Sequence, residues 1–254
     1  MRKQSTFVGA AFGAVTLLAL GAGPALASGS SVNANLMPIP GSGVRGSGTA
    51  MVAVSGTTIT VTMAATGLLP NQPHAAHIHF GADARHECPV IGDDTNKDGH
   101  LTTSEGAPAY GPVVVSLTKT GDTSPASTLA IDRFDTAQGG TLSYERGSIK
   151  VSPAVATAIT AGKAVVVIHG VDYNKDGKYS GSVKSDLDPA LPTEATDPAL
   201  CGALLAAPVG GMATGDGGAA GGVSPGLLAL GGAALAAAAG TGVIAGRRSR
   251  IAVR

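Results

Sequence analysis

The sequence predicts an all-β domain, an antiparallel β-sandwich or barrel, held between an export signal and a surface anchor. Three observations carry this reading. Apolar residues alternate with threonines in one run, short apolar segments recur between turn signals, and the residues available for a core are branched aliphatics. The 254-residue chain has no Trp, four Tyr and four Phe. Its core must therefore be made of Val, Ile, Leu, Met and Ala, which suit the pleated surface of a sheet.

Both ends read as targeting segments. Met1, Arg2 and Lys3 form a basic start, an apolar run follows from about residue 7 to 23, and Ala25-Leu26-Ala27 offers a small-x-small cleavage pattern. Residues 1–27 therefore read as a signal peptide, with Ser28 first in the mature chain. Residues 225–246 carry no charge and reach the ~20 residues that span a hydrocarbon core. Arg247, Arg248 and Arg250 follow, and basic residues favour the cytoplasmic side. The stretch reads as a transmembrane helix, 247–254 as a basic cytoplasmic tail, and everything before as outside the cell. Residues 207–224 form a Gly-rich linker, too poor in apolar surface to fold. This order of linker, span and Arg tail resembles the cell-wall sorting signals of Gram-positive surface proteins. It lacks the Leu-Pro-x-Thr-Gly pentapeptide, and a sortase cut between Thr214 and Gly215 is the candidate. Membrane tether and wall attachment are both open.

Residues 28–206 remain as one domain large enough for a real core. Six of the seventeen basic residues sit in the terminal segments, whereas all seventeen acidic residues lie between Asp83 and Asp216. The exported part thus has eleven basic against seventeen acidic side chains, which argues against nucleic acid as a partner and for cations. Nothing in the sequence identifies a protein partner. Cys88 and Cys201 are the only cysteines, and in an oxidising compartment such a pair most simply forms a disulfide.

Along the domain, Thr57-Thr58-Ile59-Thr60-Val61-Thr62-Met63 places Ile59, Val61 and Met63 on one face and threonines on the other. With Ser55-Gly56 as a turn after residues 50–54, this predicts a hairpin. Further strands are expected at 74–79, 113–117, 141–144, 148–151 and 164–169, about seven in all. One short crossing helix is expected over 153–160, with Ser152 as N-cap and Pro153 at the first helical position.

All six histidines lie in this domain, five between positions 74 and 100 and the sixth at 169. His77 and His79 flank Ile78, so on a strand they share a face. Neutral imidazoles suit copper or zinc, but two rarely suffice. His169, ending the apolar run 165–168, offers a third ligand from across the sandwich. Two satisfied or exposed strand histidines would give the same His-x-His spacing. A second signal is the run 94–105, which follows a twelve-residue calcium loop position by position. Asp94, Asn96 and Asp98 supply side-chain oxygens, Gly99 the sharp turn, His100 its carbonyl and Glu105 a closing carboxylate. No helical pattern precedes it, so the loop would be set into a β-domain. A polar turn that binds nothing has a similar look. A partial copy, Asp172-Tyr173-Asn174-Lys175-Asp176-Gly177, has Val183 at the closing position. Asp186 or Asp188 would have to complete it, and a plain turn is the simpler expectation.

The run from Gly67-Leu68 through Pro73-His74-Ala75-Ala76-His77-Ile78-His79, after the 47–66 hairpin, resembles the CHRD (chordin-type) domain, which is similar in fold to copper/zinc superoxide dismutase. The layout also resembles the dismutase: a His-x-His pair, a cysteine nine residues later, an apolar strand ending in His169, and Cys201-Gly202. Over residues 32–206 the resemblance implies a Greek-key-like, dismutase-like β-sandwich or barrel. It also implies copper on His77, His79 and His169, and a Cys88–Cys201 disulfide. The zinc half does not carry over, since only His86 and His100 stand where its ligands would be. An arginine that attracts superoxide is replaced by the acidic neighbourhood of Glu194 and Asp197. The expectation is an extracellular CHRD-type module with calcium for rigidity and copper as a second ion. The rivals are a copper-only superoxide dismutase and an adhesive or structural surface module.

Overall fold

A computed structural model describes residues 29–206; the expected signal peptide, linker, apolar span and basic tail lie outside these residues. Nine strands, all paired antiparallel, form the domain. In chain order the elements are β1 (Ser30–Pro38), β2 (Ser47–Ser55), β3 (Thr58–Thr66), β4 (Ala76–His79), α1 (Thr103–Tyr110), β5 (Val113–Ser116) and β6 (Leu142–Lys150). Then come α2 (Pro153–Thr160), β7 (Val165–His169), α3 (Thr193–Thr196), β8 (Pro198–Ala203) and β9 (Leu205–Ala206).

The strands run β5-β4-β7-β8-β1-β2-β3-β6, with β9 added beside β1. Strand β1 joins two halves: Ser30 to Leu36 pair with β2, and Met37 and Pro38 pair with β8. The β2–β3 hairpin has the expected alternation, with Ile59, Val61 and Met63 buried. Its loop is Gly56-Thr57, one residue later than the sequence suggested, because Ser55 pairs with Thr58 and Gly56 takes the positive φ of a tight turn (59°). The segments 141–144 and 148–151 belong to one strand, β6, whose pairing with β3 shifts register between Ile59 and Val61. A bulge of this kind lets one strand bend without ending. Helix α2 spans the expected residues, and the Ser152 hydroxyl accepts from the Val155 amide.

Several elements were not expected. Strands β1, β8 and β9 and the short helix α3 have no counterpart among the expected elements, although Val32, Ala34 and Leu36 alternate inward along β1. Helix α1 also appears, despite Gly106 and Pro108 within it. Its N-terminus is closed by a reciprocal box, in which the Thr102 hydroxyl accepts from the Glu105 amide while the Glu105 carboxylate accepts from the Thr102 amide.

Strands β4 and β7 are buried on both faces. Ala76, Ile78, Val166 and Ile168 enter the main core with Val52, Val61, Leu142 and Leu200. Val165 and Val167 point the other way, into a smaller core with Ile39, Leu101, Tyr110 and Cys201. This explains the unbroken apolar run of β7, and it places His77, His79 and His169 on the outer face, beneath the segments that cover it. Cys88 and Cys201 are joined, with Cα atoms 5.7 Å apart across a sequence separation of 113.

Candidate metal centre

Strands β4 and β7 pair so that His77 opposes Val167 and His79 opposes Val165. The His169 amide donates to the carbonyl of Ala75. The third histidine therefore comes from the neighbouring strand of the same sheet, not from across the sandwich. With alternate side chains on one face, the rings converge: centroids lie 5.1 Å apart for His77 and His169, 5.7 Å for His77 and His79, and 6.0 Å for His79 and His169. All three side chains are buried.

One nitrogen of each ring is tied to a carbonyl. His77 Nε2 meets Thr128 O at 3.1 Å, His79 Nδ1 meets Gly111 O at 2.8 Å, and His169 Nδ1 meets Thr196 O at 2.5 Å. A carbonyl can only accept, so each tied nitrogen carries the proton and donates. The second nitrogens, His77 Nδ1, His79 Nε2 and His169 Nε2, are buried without any partner. The set is the one group of three or more His, Cys, Asp or Glu among the described residues whose ligand atoms all lie within 4.8 Å of one another. Three orphaned buried nitrogens this close together would be costly unless something lies between them. Neutral imidazoles suit copper or zinc, and the residues present fit such an ion.

Burial keeps these rings neutral. Desolvation, reinforced by His169 and His79, holds His77 well below the usual imidazole range. Desolvation and the nearby His169 bring His79 down to about 3. Burial lowers His169 to about 4, against the opposing pull of the Thr196 bond and Asp186. Folded values below the unfolded one mean that the unfolded chain binds more protons, so stability is lost as pH falls below about 6.5. For His169 alone the loss between pH 7 and 5 is on the order of 2 kcal/mol. Urea unfolding of the metal-free domain at the two pH values should show a clearly lower midpoint at pH 5.

The walls of the site were not legible in the sequence. Tyr110 from α1 stands edge-on to His79 at 4.5 Å, and Phe134 to His77 at 5.3 Å. His74 is not a ligand candidate here: its Nδ1 lies 2.7 Å from His169 O and its Nε2 3.1 Å from Leu69 O, so it braces the strand that carries His169. His86 stacks on Phe80, and His100 packs against Tyr173 with centroids 3.9 Å apart. Glu194 and Asp197, expected beside the approach to the histidines, do not line the cavity there. Both are buried elsewhere. Asp197 is pushed up to about 7 by burial, while the hydroxyls of Thr193 and Tyr173 donate to it.

The 94–105 loop is tightly wired. Asp94 accepts from the amides of Lys97 and Gly99, Asn96 from Asp98, and Asp98 from His100. Glu105 Oε1 accepts from the amides of Thr95 and Asn96. The second loop repeats this pattern. Asp172 accepts from Asp176 and Gly177, Asn174 from Asp176, and Asp176 from Lys178. The place of Glu105 is taken by Glu194 of α3, whose Oε1 accepts from the amides of Tyr173 and Asn174. Val183, which stands at the closing position by sequence count, is 66% exposed, and Glu194 is 3% exposed. Neither Asp186 nor Asp188 supplies the closing group: the Asp186 carboxylate accepts from the Ser104 amide. None of the ion pairs among the described residues involves a carboxylate of either loop.

Comparison with protein families matches residues 25–183 to the CHRD domain. That range includes β1 to β7 with all three histidines, and ends before α3 and β8. No curated protein matches the sequence.

Proposed function

Because the chain belongs to the CHRD domain family, we propose that it is an exported surface module holding copper on His77, His79 and His169 and calcium in its two Asp/Asn loops. The observation that carries the copper reading is the convergence of three buried, partnerless imidazole nitrogens whose tautomers are set by backbone carbonyls. Copper binds such nitrogen sites more tightly than other divalent first-row metals. The disulfide fits an extracellular location. The linker, apolar span and Arg tail are proposed to tether the module to the membrane or the wall.

The test is to load the ectodomain, residues 28–206, with copper(II), remove free metal, and measure copper per chain with the electron paramagnetic resonance spectrum. One copper per chain with nitrogen hyperfine structure is expected. A substoichiometric metal content, or a spectrum of oxygen ligation, overturns the reading. Copper held by these three histidines would supply a redox-active ion, and the enzyme rival, which would need an open coordination position, is superoxide dismutation. No Lys or Arg lines the cavity beside the histidines, so nothing cationic guides an anion inward. Superoxide consumption no faster than that of free copper is expected.

Calcium is favoured by the repeated wiring of the two loops and by the burial of Glu194 without a cationic partner. Added calcium should raise the thermal midpoint of the domain. The combined Asp94→Asn, Glu105→Gln variant should lose part of that rise and Glu194→Gln another part. An equal rise in all three proteins, or none in the wild type, would sink the calcium proposal.

A further inference from the structure

Two of the triad histidines are held by the ends of short helices. Helix α1 is closed at its C-terminal end by Gly111, whose carbonyl accepts from His79 Nδ1, and α3 ends at Thr196, whose carbonyl accepts from His169 Nδ1. Neither helix is long enough to fix itself: α3 has four residues, and α1 has eight with Gly106 and Pro108 among them. Each is anchored by a carboxylate in its first turn. Glu105 Oε1 accepts from the amides of Thr95 and Asn96, and its Oε2 from that of Thr102. Glu194, which is buried, sets Oε1 against the amides of Tyr173 and Asn174 and Oε2 against that of Ser180. The helices also meet. The Thr103 hydroxyl, at the start of α1, donates to the Thr196 carbonyl at 2.7 Å, the same oxygen that accepts from His169. A carbonyl has two lone pairs, and both are engaged here. His77 is held differently, by the carbonyl of Thr128, which lies in neither helix.

Resting on the copper reading, we propose that Glu105, Glu194 and Thr103 are positioning residues for the copper ligands: the two carboxylates anchor α1 and α3 so that the Gly111 and Thr196 carbonyls fix the rings of His79 and His169, and Thr103 joins the two helices at that point. A histidine offers a metal its second nitrogen only while a partner holds the first, so the partner's own support matters to the ion. Glu194 matters most. An amide side chain in its place has one donor end, which would face either the Ser180 amide or those of Tyr173 and Asn174, and a buried donor left without an acceptor is costly. The fold should survive that change, because the Gly170 and Val171 amides still donate to the carbonyls of Asp197 and Glu194 and tie α3 to the end of β7. What is lost is the aim of the Thr196 carbonyl.

Two readouts on the ectodomain test this, both in calcium-free buffer so that no ion in the loops takes part. Without copper, nitrogen-15 NMR follows exchange of the ring N–H protons with solvent. Glu194→Gln and Thr103→Val should speed exchange at His169 Nδ1 and leave His77 Nε2 unchanged, and Glu105→Gln should speed it at His79 Nδ1. With copper, competition against a chelator should show binding about tenfold weaker in Glu194→Gln and in Thr103→Val, the low end for groups that support a ligand. Thr103→Ser, which keeps the donor, should restore the wild-type values of both. The proposal is overturned if either exchange at His169 or copper affinity stays at the wild-type value in both variants. It is equally overturned if all three histidines exchange faster together, which is a general loosening of the fold, or if Thr103→Ser behaves as Thr103→Val does. Should Glu194→Gln fail to fold, the near-isosteric Thr103→Val and its Ser counterpart decide. A wild type that retains no copper refutes the copper reading by its metal content, and ring exchange still decides whether these residues position the histidines.

Discussion

Replacing His79 with Ala should weaken copper binding by at least about 100-fold, more than the 10–100-fold typical of residues that only support a ligand. The same is expected for His77→Ala and His169→Ala, while His74→Ala should cost far less. The contrast follows from where each ring's nitrogens go. His79 spends Nδ1 on Gly111 O and leaves Nε2 free, whereas both nitrogens of His74 face carbonyls, those of His169 and Leu69. His74 therefore supports the backbone of His169, a proposed ligand, and leaves no nitrogen free itself. Competition against a chelator of known affinity measures the effect. Thermal unfolding adds a second readout, because an ion at 1,000 times its Kd stabilises the folded state by about 4 kcal/mol. In His79→Ala that copper-dependent rise should vanish, and in His74→Ala most of it should remain. Equal losses in both would mean that the histidines hold the fold and not the ion. Undiminished binding in His79→Ala would remove the site.

The sequence carried the His-x-His pair and the apolar strand ending in His169, because period-two alternation fixes which side chains share a face. What it could not carry was the pairing of β4 with β7. Strand order depends on long-range contacts that no local pattern encodes, and so the third histidine was expected from the wrong direction. The same limit applies to Glu194. Counting positions within a loop finds a closing residue only when the chain supplies it locally, as with Glu105. Here the chain instead returns from α3 and sets Glu194 against the amides of Tyr173 and Asn174. Two missed elements did have local signals. The inward alternation of Val32, Ala34 and Leu36 marks β1, and Thr102 with Glu105 three positions later marks the start of α1. The calcium-loop pattern makes Glu105 a metal ligand alone, whereas in the structure it also caps α1. Tyr110 and Phe134 had no signal: they become walls of the site only because the covering segments fold back over the outer face of β4 and β7.

Removal of the disulfide by the double substitution Cys88→Ala, Cys201→Ala should destabilise the domain by about 4–5 kcal/mol, since it frees a loop of over a hundred residues in the unfolded chain. For a domain of this size that is a fall in thermal midpoint of about 10 °C or more. The loss should also reach the metal site. Cys201 sits on β8 opposite Val167, two residues before His169 on β7, and Cys88 leads into the segment whose α1 brings Tyr110 against His79. The bond thus ties the cover of the triad to the strand beside it. Untied, the cover should open more often, and copper should leave the double variant faster than the wild type. Parallel measurements of the unfolding midpoint and of copper release to a chelator check both statements, and reduction of the wild-type protein should reproduce them. If the double variant unfolds at the wild-type midpoint, packing of Cys201 within its small core holds the cover by itself. If stability falls but copper release is unchanged, the cover and the triad are independent, and the bond's contribution is confined to the unfolded chain.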